Sequence, residues 1–143
     1  MKKLTHTFSS YTLCFILSGL LCTAFSCKKN PATSAPSNVD FTIDITTADN
    51  NPLKNNGGYE IKNNILIIRY DNGPTKRFYA TQGSCTYAQC NLQYVSADLV
   101  IQCPCHGCLF DVLTGTATQG PATVPLGTYL TTLNGNSLRI HSH

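Results

Sequence analysis

Two short cysteine-rich stretches limit what this chain can fold into more than any other feature. The first reads C-T-Y-A-Q-C over residues 85–90, and the second reads C-P-C-H-G-C over residues 103–108. Thiolates and imidazoles are ligands for transition metals, and glycine permits a tight turn. If a small β fold brings the two stretches together, they can close around one inorganic cofactor.

Length and charge reduce the number of folds and function classes that fit this chain. The chain has 143 residues, which is enough for one domain. Its net charge of +3 includes Lys2 and Lys3 near the N-terminus, and from Cys27 onward eight basic residues face seven acidic ones. A nearly neutral domain without a basic stripe is not typical of nucleic-acid-binding proteins.

Residues 1–26 have the pattern of an export signal. A basic start is followed by an apolar stretch, Leu13–Leu21, that is too short to remain as a spanning helix. The segment 24–27 then resembles a bacterial lipobox, which implies lipidation of Cys27; the alternative is an ordinary signal peptide cut nearby. We expect a lipoprotein of the bacterial cell envelope that faces the periplasm. Lys28 and Lys29 after the cysteine favour the outer membrane, by analogy with lipoprotein sorting.

The segment after Cys27 is predicted to be a flexible tether. Residues 28–39 are mostly small and polar and include two prolines, so they bury too little apolar surface to offset the ordering of their backbone. The sequence therefore divides into a signal peptide (1–26), a lipidated cysteine with its tether (27–39) and one domain (40–143).

The domain itself has the pattern of an all-β fold. Short apolar or alternating segments are separated by turn residues, and no segment after residue 27 has the spacing of an amphipathic helix. Asn-Gly at 72–73 predicts a hairpin turn, and Asn134-Gly135-Asn136 predicts another. The expected strands cover 41–45, 65–70, 77–80, 99–102, 129–133 and 137–140.

These cysteine stretches, together with the proline-containing segment 120–126, resemble the Rieske iron–sulfur family. The family's first box is C-x-H-x-x-C and its second is C-x-C-H-G-S followed by x and an aromatic residue, and the resemblance covers about residues 40–140. It implies a small antiparallel β-sandwich with a cluster-binding subdomain of two loops. It also implies a [2Fe-2S] cluster, with two thiolates on one iron and two imidazoles on the other, and a function in electron transfer.

Carried over by position, the resemblance assigns most of the ligands. Cys85 and Cys103 would hold the inner iron and His106 the outer one, whereas Tyr87 stands where the second imidazole is expected. Three outcomes are open: Tyr87 is an unusual oxygen ligand, Cys108 or another residue substitutes, or the cluster has been lost. The resemblance also implies a disulfide that joins Cys90 to Cys105, which an exported domain permits.

Two further functions compete with electron transfer. One is a cluster-free, disulfide-stapled module for binding or assembly. The other is a structural zinc site formed by Cys85, Cys90, Cys103 and His106. The sequence shows no nucleophile–base pair, phosphate loop or paired carboxylates, so we expect no catalysis by the chain alone. It would instead be a redox component of an oxidoreductase system, with a partner protein that the sequence does not identify and with membrane attachment through Cys27.

Overall fold

The computed structural model describes residues 34–47 and 52–143. The predicted signal peptide and Cys27 lie outside these residues. Ten β-strands follow one another: β1 (Asp40–Asp44), β2 (Tyr59–Lys62), β3 (Ile65–Arg69), β4 (Phe78–Gln82), β5 (Gln93–Val95), β6 (Val100–Gln102), β7 (Leu109–Asp111), β8 (Ala117–Gln119), β9 (Thr128–Asn134) and β10 (Ser137–His141).

The strands form two antiparallel sheets. Six strands pair in the order β1-β10-β9-β4-β3-β2, and the remaining four pair in the order β5-β6-β7-β8. The four-stranded sheet is an insertion between β4 and β9 of the larger one. The all-β prediction is confirmed. Over the described residues, no helix has the length and apolar character needed to cross a membrane.

Strand β3 is buried along its whole length because its two faces enter different cores. Ile65 and Ile67 pack with Leu138 and Ile140 in the core of the six-stranded sheet. Leu66 and Ile68 pack in the second core, which also contains the buried cysteines. A strand covered on both faces has a continuous apolar sequence instead of an alternating one. The apolar run 65–70, predicted as a strand, therefore contributes side chains to both cores.

Residues that accept positive φ lie in the turns of the hairpins and allow the chain to reverse there. Asn63 and Asn64 join β2 to β3, and both have positive φ (52° and 60°), as a two-residue turn of this kind requires. Gly135, with φ of 60°, lies in the turn between β9 and β10. Every strand that the sequence predicted is present within one or two residues at each end. The prediction missed β2, β5, β7 and β8, three of which have only three residues.

Residues 34–39, assigned to the tether from sequence, lie against the domain. The Tyr129 hydroxyl donates to the carbonyl oxygen of Pro36 at 2.9 Å. The backbone N–H of Val39 donates to Ser142 Oγ at 2.9 Å, and the N–H of Ser142 donates back to the Val39 carbonyl at 2.8 Å. The described end of the predicted tether is therefore packed on the sheet, since its backbone groups find partners there.

Candidate metal centre

The two cysteine loops lie side by side because of the strands that carry them. Residues 85–90 belong to the connection between β4 and β5, and residues 103–108 belong to the connection between β6 and β7. Gln93 of β5 pairs with Gln102 of β6, so the residues just before β5 lie beside those just after β6. Each loop is closed by the same backbone hydrogen bond, 2.8 Å long, from its first cysteine N–H to its last cysteine carbonyl.

The first cysteines of the two loops form a buried thiol pair. Cys85 and Cys103 have no exposed surface, and a hydrogen bond joins their side chains. Burial raises the pKa of the Cys103 thiol, an effect that the hydrogen bond with Cys85 reinforces and that the backbone N–H groups of Cys105 and His106 partly offset. The Cys103 thiol therefore keeps its proton in the metal-free protein, and metal binding would release that proton to solvent.

Two aromatic rings lie together near the surface. The ring centres of Tyr87 and His106 are 5.1 Å apart, and their planes meet at 73°. Tyr87 is half-buried against the second core, whereas His106 is exposed. The four candidate ligand positions are thus arranged as a buried sulfur pair and a more exposed ring pair.

The remaining cysteines have different surroundings. Cys90 and Cys105 are joined by a disulfide that ties the first loop to the second. Cys108 is a buried free thiol in the same core as Cys85 and Cys103. The zinc site considered from sequence needs Cys90 as a thiolate ligand. The structure does not support that site, because the sulfur of Cys90 is already bonded to Cys105.

The segment 120–126 is attached to both cysteine loops. The hydroxyl of Thr86 donates to the Val124 carbonyl at 2.7 Å, which fixes the segment to the first loop. Gly120 has φ of 89° and lies against the backbone of Cys108, which fixes it to the second loop. The proline-containing segment is therefore a third loop, bound at two points to the end of the molecule that carries the thiol pair.

Gln82 is a site-positioning residue that the sequence did not reveal. Its side chain is buried; its Nε2 donates to the Ser84 carbonyl at 2.7 Å, and its Oε1 accepts from the Gly127 N–H at 3.1 Å. It thereby joins the start of the first loop to the end of the third. A lone glutamine near the end of a predicted strand looks like an ordinary solvent-facing position, so no sequence signal identified it.

The residue set fits a two-iron cluster in arrangement and in three of its four side chains. Such a cluster takes two thiolates at one iron and two further ligands at the other, and the structure offers a thiol pair and a ring pair. Backbone N–H groups that point at Cys103 suit a metal-bound thiolate, since hydrogen bonds to sulfur are a regular feature of these sites. Within residues 34–47 and 52–143, no three Cys, His, Asp or Glu side chains converge as a single-ion site would require.

A comparison with protein families agrees with this geometry. The model of the Rieske [2Fe-2S] domain matches residues 45–130, which is more than half of the chain. That range includes the first box, the second box and the third loop. A match of this extent covers the whole arrangement of strands that positions the thiol pair.

Curated relatives and a solved structure extend the match. The chain is 44% identical over 54 residues to Ferredoxin CarAc of Metapseudomonas resinovorans, over 37% of this chain and 50% of that protein. It is 33% identical over 84 residues to the ferredoxin component of biphenyl 2,3-dioxygenase of Rhodococcus jostii, over 52% of this chain and 78% of that protein. The plasma-membrane Rieske protein PetC3 of Synechocystis superimposes with a TM-score of 0.52 at 24% identity, over 77% of this chain and 100% of that one. The chain thus spans half the length of the first of these relatives.

Proposed function

The chain belongs to the Rieske [2Fe-2S] domain family, and from this premise we propose that it carries single electrons at the bacterial cell envelope. Family membership implies a [2Fe-2S] cluster and a function in electron transfer. The observation that supports this assignment best is that the same two loops bring together a fully buried thiol pair, Cys85 and Cys103, and the Tyr87–His106 ring pair. Cys85 and Cys103 would hold the inner iron, and His106 would be a ligand of the outer iron.

The domain would hold the cluster in place and shield its inner side from solvent. The cluster accepts and returns one electron when it is bound. Around it the chain supplies fully buried sulfur ligands on one side and an exposed imidazole on the other, so the outer ligand lies where a partner protein can approach. The cysteine loops and the third loop contain no Lys, Arg, Asp or Glu. These three loops would therefore present a partner with a surface that has no Lys, Arg, Asp or Glu side chain.

The setting at the cell envelope rests on the N-terminal sequence. Lipidation at Cys27 would attach the domain to a membrane, and Lys28 and Lys29 favour the outer one. The disulfide between Cys90 and Cys105 is consistent with an oxidising compartment such as the periplasm. In this setting the protein would be a redox component of an oxidoreductase system and would have no catalysis of its own.

Metal content decides between electron transfer and an empty module. The protein, expressed with its leader and purified without air, is expected to contain about two iron and about two inorganic sulfide per chain. On reduction it should give the EPR signal of a reduced [2Fe-2S] cluster. A colourless, iron-free protein from the same preparation would reject electron transfer and favour the cluster-free, disulfide-stapled alternative. Zinc in place of iron would reject both.

Lipid attachment can be measured separately with a labelled fatty acid. Wild-type chain produced in a Gram-negative host should incorporate the label, whereas Cys27→Ser should lose nearly all of it because the acceptor thiol is gone. Cys22→Ser removes a nearby leader cysteine and is the matched control, with labelling retained. Equal labelling of wild type and Cys27→Ser would show that Cys27 is not the anchor.

A further inference from the structure

The position that lacks its imidazole is occupied by a tyrosine whose ring contacts that of His106. Tyr87 lies on the loop that begins with Cys85, and its ring centre is 5.1 Å from that of His106. Metal bonds of about 2 Å to nitrogen or oxygen allow two rings at this separation to face one ion. We propose that Tyr87 is the fourth cluster ligand, through its phenolate oxygen, at the iron that His106 also binds. This inference rests on the proposed cluster site.

The chemistry of a phenol suits ferric iron. A tyrosine has a pKa of about 10 in water, so binding as phenolate requires loss of its proton. In that step the O–H bond breaks, an iron–oxygen bond forms, the proton passes to solvent, and no electron moves. Tyrosinate is an established ligand of protein-bound iron in some haem sites. Because phenolate is anionic and imidazole is neutral, the site becomes one unit more negative than a site with two imidazoles.

Cys108 is the alternative fourth ligand, and its surroundings argue against it. Its side chain is fully buried in the core that contains the inner thiol pair, whereas His106 is exposed. Its carbonyl accepts the hydrogen bond from the Cys103 N–H that closes the second loop. Gly120 packs on its backbone, where an added Cβ would be 2.7 Å from the Cys108 Cα. To join His106 at the outer iron, the Cys108 side chain would have to leave the core in which it is fully buried, while its backbone stays held by the loop closure and by Gly120.

A tyrosine ligand gives the wild-type protein a distinctive spectrum. Phenolate bound to ferric iron produces a charge-transfer band and resonance-enhanced ring vibrations, which shift when ring-deuterated tyrosine is incorporated. Only the bound tyrosine among the seven in the chain contributes to them. Pulsed EPR of the reduced cluster should detect one directly bound imidazole nitrogen, from His106. In Tyr87→His the phenolate features should disappear and a second bound nitrogen should be detected.

Three further variants separate ligation from packing. Tyr87→Phe keeps the ring and removes the donor atom. We expect iron retention to fall more than about a hundredfold, beyond the roughly 10- to 100-fold loss that follows removal of a group that only supports a metal ligand. Tyr94→Phe is the matched control, because Tyr94 is buried in the same core and its hydroxyl has no hydrogen-bond partner among residues 34–47 and 52–143. It should keep both the iron and the phenolate features. Cys108→Ser should also keep them, whereas loss of the cluster in this variant would assign the ligand to Cys108.

The outcomes distinguish this inference from the proposed function. A wild-type protein with a full cluster but no phenolate features, or with unchanged iron and spectrum in Tyr87→Phe, would overturn the assignment of Tyr87 and leave electron transfer standing. Two bound nitrogens in the wild type would do the same. A wild-type protein without iron would overturn both proposals. The spectra and the iron content are measured on the purified protein and need no redox partner.

Discussion

Gly120→Ala is expected to lower the free energy of unfolding by about 3 kcal/mol. The residue has φ of 89°, and a left-handed conformation costs a residue with a Cβ about 1–2 kcal/mol. The new methyl group would also lie 2.7 Å from the Cα and 3.0 Å from the N of Cys108. Both are backbone atoms of the second cysteine loop, so relief requires a backbone shift, and overpacking of this kind costs about 1–3 kcal/mol. Urea unfolding of the iron-free protein measures the change.

Gly135→Ala is the control that separates the two contributions. Gly135 has φ of 60° in the β9–β10 turn, and among the described residues beyond its two chain neighbours no atom lies within 4 Å of an added Cβ. It should show the conformational cost alone, about 1 kcal/mol. The cluster should also be lost faster from Gly120→Ala than from Gly135→Ala, because only the first change moves the loop of His106. Equal destabilisation by the two substitutions would mean that the third loop does not hold the second in place.

Removing the disulfide is the other change with a large expected effect. Cys90 and Cys105 are 15 residues apart, and closing a loop of this length in the unfolded chain corresponds to about 3 kcal/mol. The double variant Cys90→Ser/Cys105→Ser should therefore unfold at a clearly lower urea concentration. Its cluster should be shorter-lived as well, because Cys105 precedes His106 directly. The measurements are the unfolding midpoint of the iron-free protein and the decay of visible absorption of the loaded one.

A reductant provides the internal control for this variant. Cys85, Cys103 and Cys108 are free thiols, so a reductant should lower the unfolding midpoint of the wild type and leave the double variant unchanged. Under reducing conditions the two proteins should become nearly equal in stability. If the wild type did not respond to a reductant that is shown by thiol counting to open the disulfide, the link between the loops would contribute little to the fold.

The sequence predicted every strand of five or more residues, because strands of this length are long enough to show a pattern. The β3–β4 and β9–β10 hairpins have turn residues at their tips and enough length to show a pattern. The three-residue strands β5, β7 and β8 are too short for alternation to be recognised, and their pairing depends on the sheet around them. Asn63-Asn64 between two apolar segments was a usable turn signal for β2.

The candidate site also has a part that the sequence predicts and a part that it does not. Residues within one cysteine loop, such as Cys103 and His106, are close in sequence and could be grouped by spacing. Contacts that cross between loops depend on the tertiary fold. The hydrogen bond from Thr86 to Val124 joins residues 38 positions apart, and the one from Gly127 to Gln82 joins residues 45 apart. No local pattern reports such pairs, so the residues that hold the site together appeared only in the structure.

The packed segment at residues 34–39 also determines where mechanical tension would enter the domain. Ala35 packs against Gly127: its Cβ lies 2.3 Å from the place that a side-chain carbon on Gly127 would occupy. Gly127 in turn donates to Gln82, two residues before Ser84 and the first cysteine loop. A pull on the chain upstream of residue 34 would therefore reach the base of the metal-binding end before it reached the first strand. Force applied to the N-terminal segment would therefore act close to the loops that are proposed to hold the cluster.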